Sequence, residues 1–284
     1  MPDVIVCGPA SWNHVVDLDA LPRPVPHMQF ARGDRLTLGG TSAGKALHLT
    51  DLGRPTLLHT VVGTDQVAET ILAALASAGV DVVAEVTDGP SERHLNLMGP
   101  GGERVSLYLD VPVPATTTAP AGLLDALGSA RAAVLDLSTR SRDLVGLVAT
   151  TGVPVWTDVH DHDGRDDFHR PFLDAADYVF MNADKLAAPL DFLRTTVGNG
   201  ASVAVCTLGA EGAVAVDAHG MVHRVSAVPV ADVVDTNGAG DAFMAGFLHA
   251  TLDGAGVGDA LAAGAAQAAR ALTTEHLSPL LDVG

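Results

Sequence analysis

Positive charge is scarce in this sequence: 16 Lys and Arg residues stand against 34 Asp and Glu, a formal net charge of −18 over 284 residues. A surface of that sign repels phosphodiester backbones and anionic lipid, so neither nucleic acid nor a membrane surface is an expected partner. Cysteine is nearly missing as well. The two that occur, Cys7 and Cys206, lie inside apolar strand-like runs, which predicts buried reduced thiols rather than a disulfide. No apolar stretch approaches the roughly 20 residues needed to span a bilayer. The start, Met1-Pro2-Asp3-Val4-Ile5-Val6-Cys7, lacks the basic region of a secretion signal. A soluble cytoplasmic protein is expected. Internal repeats and low-complexity linkers are also missing.

What the chain has in quantity is apolar residues, 48% of the total, and 30 glycines, enough to bury a large core. Strand-like and helix-like segments alternate, the pattern of an α/β sheet with crossover helices. Strands are expected at 3–7, 56–62, 132–137, 153–157, 177–181 and 202–207. Helices are expected near 43–52, 65–78, 120–128, 141–150, 184–196, 239–252 and 258–272, with Val67, Ile71, Leu72 and Leu75 forming an apolar stripe. Two regions break this rhythm. Residues 12–38 carry short alternating runs around a Pro-rich turn, and residues 92–110 read as a hairpin about Gly99-Pro100-Gly101-Gly102. Together they are expected to form a small β-sheet over the strand ends, a lid that keeps water from a reaction.

The most informative passage is Val233-Val234-Asp235-Thr236-Asn237-Gly238-Ala239-Gly240-Asp241-Ala242-Phe243. An apolar strand end enters a small glycine-rich turn that opens a helix. Uncrowded amides at a helix start, with the positive end of the dipole, seat an anion such as phosphate. A carboxylate beside that seat takes a proton from an attacking nucleophile. Seat and base together point to phosphoryl transfer. The plain alternative is a strand–turn–helix junction with Asp241 as a helix cap.

Another passage competes for the same chemistry. Gly39-Gly40-Thr41-Ser42-Ala43-Gly44-Lys45 fits the G-x-x-x-x-G-K of a phosphate-binding P-loop, and Ala132-Ala133-Val134-Leu135-Asp136 can serve as its metal-binding strand. The magnesium-binding hydroxyl that should follow is replaced by Ala46, so a P-loop NTPase built on Lys45 is the lesser reading. Asp158-Val159-His160-Asp161-His162-Asp163 offers metal-ligand types at close spacing, although a solvated loop explains it as well.

With Asp235 to Asp241, the diglycine Gly39-Gly40 and Thr207-Leu208-Gly209-Ala210-Glu211-Gly212 in view, the sequence resembles the ribokinase, or PfkB, family of sugar and nucleoside kinases. The resemblance implies a three-layer α/β/α core with a mainly parallel sheet and a small β lid, in one kinase domain over 1–284. It implies ATP, Mg²⁺ and K⁺, and a small sugar, polyol or nucleoside as acceptor, with an adenosine-like nucleoside kinase as the alternative. A homodimer through the lid is implied as well. Asp241 matches the general base, and Asn237, Gly238, Ala239 and Gly240 match the anion hole. Asp235 matches a residue near a monovalent-cation site. Asn182, Thr207, Gly209, Gly212, Ala263 and Gly264 match the nucleotide side. Ser11, Asn13, Gly39, Gly40, Thr41, Gly44 and Asn96 fall on the acceptor side with Asp241.

The acceptor side departs from the family's pattern. Asn13 stands where an Asp commonly grips sugar hydroxyls, Gly44 where an Asn follows the diglycine, and Lys185 where N-x-x-E expects Glu, with Asp184 one place earlier. An Asn keeps hydrogen-bonding capacity but loses charge assistance. These changes also admit a catalytically silent ligand-binding homologue. Arg93, His94 and Trp12 are further acceptor-side candidates from the lid.

Overall fold

The computed structural model describes residues 1–160 and 162–282. In chain order the first elements are β1 (Val4–Cys7), β2 (Ser11–Leu18), β3 (Ala31–Gly39), α1 (Thr41–Asp51), β4 (Thr56–Val62) and α2 (Gln66–Ser77). There follow β5 (Asp81–Val86), β6 (Arg93–Met98), β7 (Arg104–Asp110), α3 (Ala121–Leu127), β8 (Ala132–Leu135) and α4 (Thr139–Thr151). The rest are β9 (Val155–Asp158), α5 (Arg170–Ala175), β10 (Tyr178–Asn182), α6 (Pro189–Gly198), β11 (Val203–Thr207), β12 (Ala213–Asp217), β13 (Val222–Val225), α7 (Ala239–Leu252) and α8 (Val257–Ala271).

Short apolar runs with both faces covered make parallel strands, and that is the fate of most of the predicted ones. The large sheet runs β13-β12-β11-β10-β9-β8-β1-β4-β5, parallel from β11 to β5, with β12 and β13 added antiparallel at one edge. Alternation along β1 divides the core. Val4 and Val6 join the cluster under α1, α2, α7 and α8, whereas Ile5 and Cys7 join the one under α3 to α6. Cys7 and Cys206 are free and buried, in β1 and β11, and burial pushes their thiols up to about 12 and about 11. Among the described residues no helix is long and apolar enough to cross a membrane.

Residues 12–38 and 92–110 do combine, as a separate four-stranded sheet of order β3-β2-β6-β7. β2 pairs antiparallel with β3 and parallel with β6, which pairs antiparallel with β7.

Several expectations need correction. The helix predicted at 184–196 starts at Pro189, because proline suits the first helical position and pushes the residue before it out of the helical region. Strands β5, β12 and β13 and helix α5 were not foreseen. β5 is a half-exposed edge strand, and β12 and β13 are short and closed by a polar turn. The strand before Gly39-Gly40 is β3, which belongs to the small antiparallel sheet; a P-loop follows a strand of the parallel sheet.

Candidate active site

The chain reverses direction across the sheet at β1, whose neighbours β4 and β8 begin runs toward opposite edges. In open α/β sheets ligands bind in the crevice at such a switch point, at the carboxyl ends of the strands. Here a cleft of about 1370 Å³ opens at that place, lined from Gly8 after β1 to Asp158, Asn182 and Thr207 at the ends of β9, β10 and β11. The start of α7 and the inner face of the small sheet complete its walls.

At its floor sits Asp241, in the first turn of α7 and 8% exposed. The helix is entered through Gly238, whose φ of 81° is a left-handed conformation that favours glycine, and no side chain caps it. The Ala239 N–H reaches back to the Thr236 carbonyl at 3.4 Å, whereas the first-turn amides of Gly240 and Asp241 have no acceptor one turn back, and a Cβ on Gly240 would meet open space. Unpaired helix-start amides and a carboxylate thus share one helix turn.

Lys45 does not reach toward a phosphate. It is 1% exposed, and its Nζ lies 2.6 Å from Asp241 Oδ1, 3.0 Å from Asp136 Oδ1 and 3.4 Å from Asp158 Oδ2. The three carboxylates come from α7 and from the ends of β8 and β9. Ser42 donates to the other Asp136 oxygen at 2.7 Å. Burial works against the Lys45 charge, but Asp136, Asp241 and Asp158 more than offset it and raise its pKa. The P-loop reading fails on this geometry.

Burial pushes the Asp241 carboxyl up to about 6, and Lys45 keeps it from rising further. Asp158 is buried too, yet His160 and Lys45 hold it below the usual carboxylate range. Gly44 is what lets α1 pass this close: a Cβ there would sit 2.9 Å from Asp241 Oδ2.

On the acceptor side the structure gathers Asn13, Gly40, Thr41 and Asn96 on the cleft wall. Ser11 is buried behind them and donates to Asn13 Oδ1 at 2.8 Å, which leaves the Asn13 amide nitrogen as a donor. Gly39 lies under Asn13, where any side chain would overlap that amide. Asn96 Oδ1 is buried without a hydrogen-bond partner, an acceptor facing a region of polar groups. Sequence reasoning missed Glu92, which lines the same wall and bonds His94 Nε2 at 2.9 Å. Tyr108 covers the His94 ring at 4.0 Å. Arg93 points elsewhere, paired with Asp110, and Trp12 packs against the main core.

On the opposite side Asn182, Asp184, Thr207 and Gly209 line the cleft, and Asn182 Oδ1 accepts the Asp184 N–H at 3.0 Å. Gly212 lies against the Val225 carbonyl of β13. Ala263 and Gly264 are absent from the lining among the described residues. They are the contact between α8 and α7, where a Cβ on Gly264 would stand 2.8 Å from the Phe243 carbonyl and one on Gly246 2.6 Å from that of Ala263.

The turn 235–238 is tied to the small sheet. Arg104 of β7 donates to Asn237 Oδ1 at 2.9 Å, and Arg35 of β3 donates to Asp235 Oδ2. The candidate metal stretch does not converge: Asp158 faces Lys45, His162 stacks near His169 at 4.5 Å, and Asp161 lies outside the described residues. Among the described residues no group of His, Cys, Asp and Glu is arranged to hold a metal ion. His160, with φ of 51°, is the one non-glycine residue among them in the left-handed region, strain of the kind that gathers at functional sites.

Comparison with known proteins gives the family and the fold. The description "pfkB family carbohydrate kinase" matches residues 4–282. An acarbose 7(IV)-phosphotransferase of Actinoplanes sp. is 32% identical over 275 residues, 95% of this chain and 92% of that protein. A nucleoside kinase of Methanothermobacter thermautotrophicus is 26% identical, over 89% of this chain and 84% of its own length. Among solved structures, a microbiome-derived acarbose kinase superposes with a TM-score of 0.85 at 30% identity, covering 96% of this chain and 93% of the other. Ribokinase of Arabidopsis thaliana, complexed with ribose and ATP, shares the fold with a TM-score of 0.80 at 22% identity, covering 100% of this chain and 99% of the other.

Proposed function

The chain belongs to the pfkB family of carbohydrate kinases, and from that premise we propose that it moves the terminal phosphoryl group of ATP onto a hydroxyl of a sugar-like acceptor, with Asp241 as the base. The observation that carries the reading is the joint position of Asp241 and the uncapped start of α7, on the floor of a cleft with hydroxyl-binding groups along one wall.

The acceptor hydroxyl gives its proton to Asp241 as its oxygen bonds to phosphorus and the bond to the bridging oxygen of ADP breaks. The free amides of Gly240 and Asp241 serve the peripheral phosphoryl oxygens, where charge gathers in the transition state. Lys45 fixes Asp241 through Oδ1 and favours its ionised form. The Asn182 amide oxygen and the Asp184 carboxylate are oxygen ligands that would hold a hard divalent cation on that wall, and Mg²⁺ bound there would neutralise phosphate charge. Thr207 and Gly209 lie along the nucleotide. The small sheet acts as a lid, held to the turn by Arg104, and the chain works as one kinase domain. The exposed outer face of that sheet pairs with a second copy.

Asn13 as donor and Asn96 and Glu92 as acceptors suit a ligand rich in hydroxyls. Acarbose is therefore the first acceptor to test, since the relatives named for it share 32% and 30% of the sequence. The experiment is coupled ADP release with acarbose, pentoses, hexoses, polyols and nucleosides. ADP release with acarbose or another sugar supports the reading, and release with nucleosides alone moves the acceptor to that class. Tight sugar binding with no ADP release across the panel leaves a silent binding protein.

A further inference from the structure

The resemblance places a monovalent cation beside Asp235, but the structure puts a side chain there. Arg35, on β3, donates through Nη2 to Asp235 Oδ2, through Nη1 to Asp17 Oδ2 at 2.9 Å and through Nε to the Glu275 carbonyl at 3.1 Å. The other Asp235 oxygen accepts the Asn237 N–H at 2.9 Å. The Asp235 side chain is 7% exposed and that of Arg35 19%, so little water screens the pair. A potassium ion binds through carboxylate and carbonyl oxygens, and here the guanidinium already holds one carbonyl and two carboxylates. An ion added at Asp235 would meet a fixed positive charge. The donor set does not fit K⁺.

We propose that Arg35 supplies from the lid the positive charge that organises the 235–238 turn, so that this kinase turns over without a monovalent cation. The inference rests on the reading of residues 237–241 as the phosphoryl site. Arg35 is a positioning residue in it. It fixes Asp235, Asp235 fixes the Asn237 amide, and that amide begins the turn leading to Gly238 and α7. The neighbouring contact of Thr37 Oγ1 with His276 Nδ1, at 2.9 Å, brings the same strand against the 274–277 loop. Docking of β3 and ordering of the turn are then one event, where an ion would have made them separate.

The test compares the wild type with Arg35→Gln in potassium, sodium and tetramethylammonium chloride at equal ionic strength, reading both kcat and Tm. The wild type is expected to change by less than about twofold in kcat between salts and to show no potassium-specific rise in Tm, the sign of a bound ligand. Arg35→Gln is expected to lose about 10–100-fold in kcat, the scale of lost outer-shell support, and to recover part of it with potassium or guanidinium ions. A potassium-dependent wild type, in kcat or in Tm, overturns the proposal. So does an Arg35→Gln protein with full activity in tetramethylammonium, or one whose loss no cation restores, since that leaves Arg35 a structural tie. The Tm comparison needs no turnover, so an absence of kinase activity in every salt is a failure of the phosphoryl-site reading and is recognisable as such.

Discussion

Asp241 works inside a group of charges drawn from several elements: Lys45 from α1, Asp136 from the end of β8, and Asp158 and His160 from the end of β9. With its carboxyl pushed up to about 6, the proposed base is ionised at neutral pH and protonated in mild acid. The kcat/KM profile is therefore expected to fall as pH drops through about 6, measured in overlapping buffers at constant ionic strength. Asp241→Asn keeps the side-chain volume and leaves Lys45 two carboxylates. Its Tm is expected to stay close to that of the wild type, while turnover drops about 10²–10⁴-fold, the usual contribution of a positioned base. Near-normal turnover in that variant would remove Asp241 from the chemistry. Lys45→Met tests the partner. Loss of the cation favours protonated Asp241, so the acid limb moves to higher pH. Stability drops by about 3–5 kcal/mol, because buried carboxylates lose their counter-charge. A limb that stays in place would show that Lys45 does not influence the base.

At the scale of elements, the turn into α7 concentrates the constraints. Gly238 has φ of 81°, and a Cβ there would lie 3.2 Å from the Leu277 carbonyl. Gly238→Ala is expected to cost about 1–2 kcal/mol for the left-handed conformation. At about 2–4 °C per kcal/mol for a domain approaching this size, that is about 2–8 °C in Tm, with a larger proportional loss in kcat as the amides move. A Tm loss with unchanged kcat would separate the turn from catalysis. This element was also the most legible in the sequence, because glycine, small residue, glycine and Asp are consecutive and their meaning is local. The helix at 239–252 was bounded correctly for that reason. Fully buried strands such as β1, β8 and β9 were legible as short apolar runs. What depends on distant partners was not. Lys45 as a phosphate ligand was only the lesser reading of a matching local spacing, yet nothing local pointed to its true partners, the carboxylates at positions 136, 158 and 241. Glu92 and Arg35 carried no local signal at all; only β6 and β3, once paired with β2, bring them to the cleft and the turn. Gly264 read as nucleotide-lining because of its place in the order of motifs, whereas its missing side chain serves helix contact.

At the scale of the molecule, the two faces of the small sheet differ in a way that folding of one chain does not explain. Its inner face carries His94, Asn96 and Asn13, all buried. On the outer face strand pairing aligns Leu36, His14, Leu95 and Leu107 in one row and Asp34, Val16, Leu97 and Val105 in the next. Leu36 is 58% exposed, Leu107 46% and Val105 39%. Apart from the exposed His14–Asp34 ion pair that crosses it, this face is apolar on an otherwise strongly acidic protein, the character of an interaction surface. A second copy of the same chain, the proposed partner, would meet it with a matching apolar face, while the net charge of −18 on each copy opposes approach. Salt therefore has a predictable effect. The screening length contracts from about 30 Å at 0.01 M to about 3 Å at 1 M, which removes the repulsion and leaves apolar contact untouched. Light scattering after size exclusion is expected to show a dimer whose dissociation constant falls as salt rises. Leu107→Asp, which puts one more negative charge in the middle of that face, is expected to give a monomer at any salt. A wild type that stays monomeric from low to high salt, or a Leu107→Asp protein that stays dimeric, would place the contact elsewhere and leave the outer face of the lid to another partner.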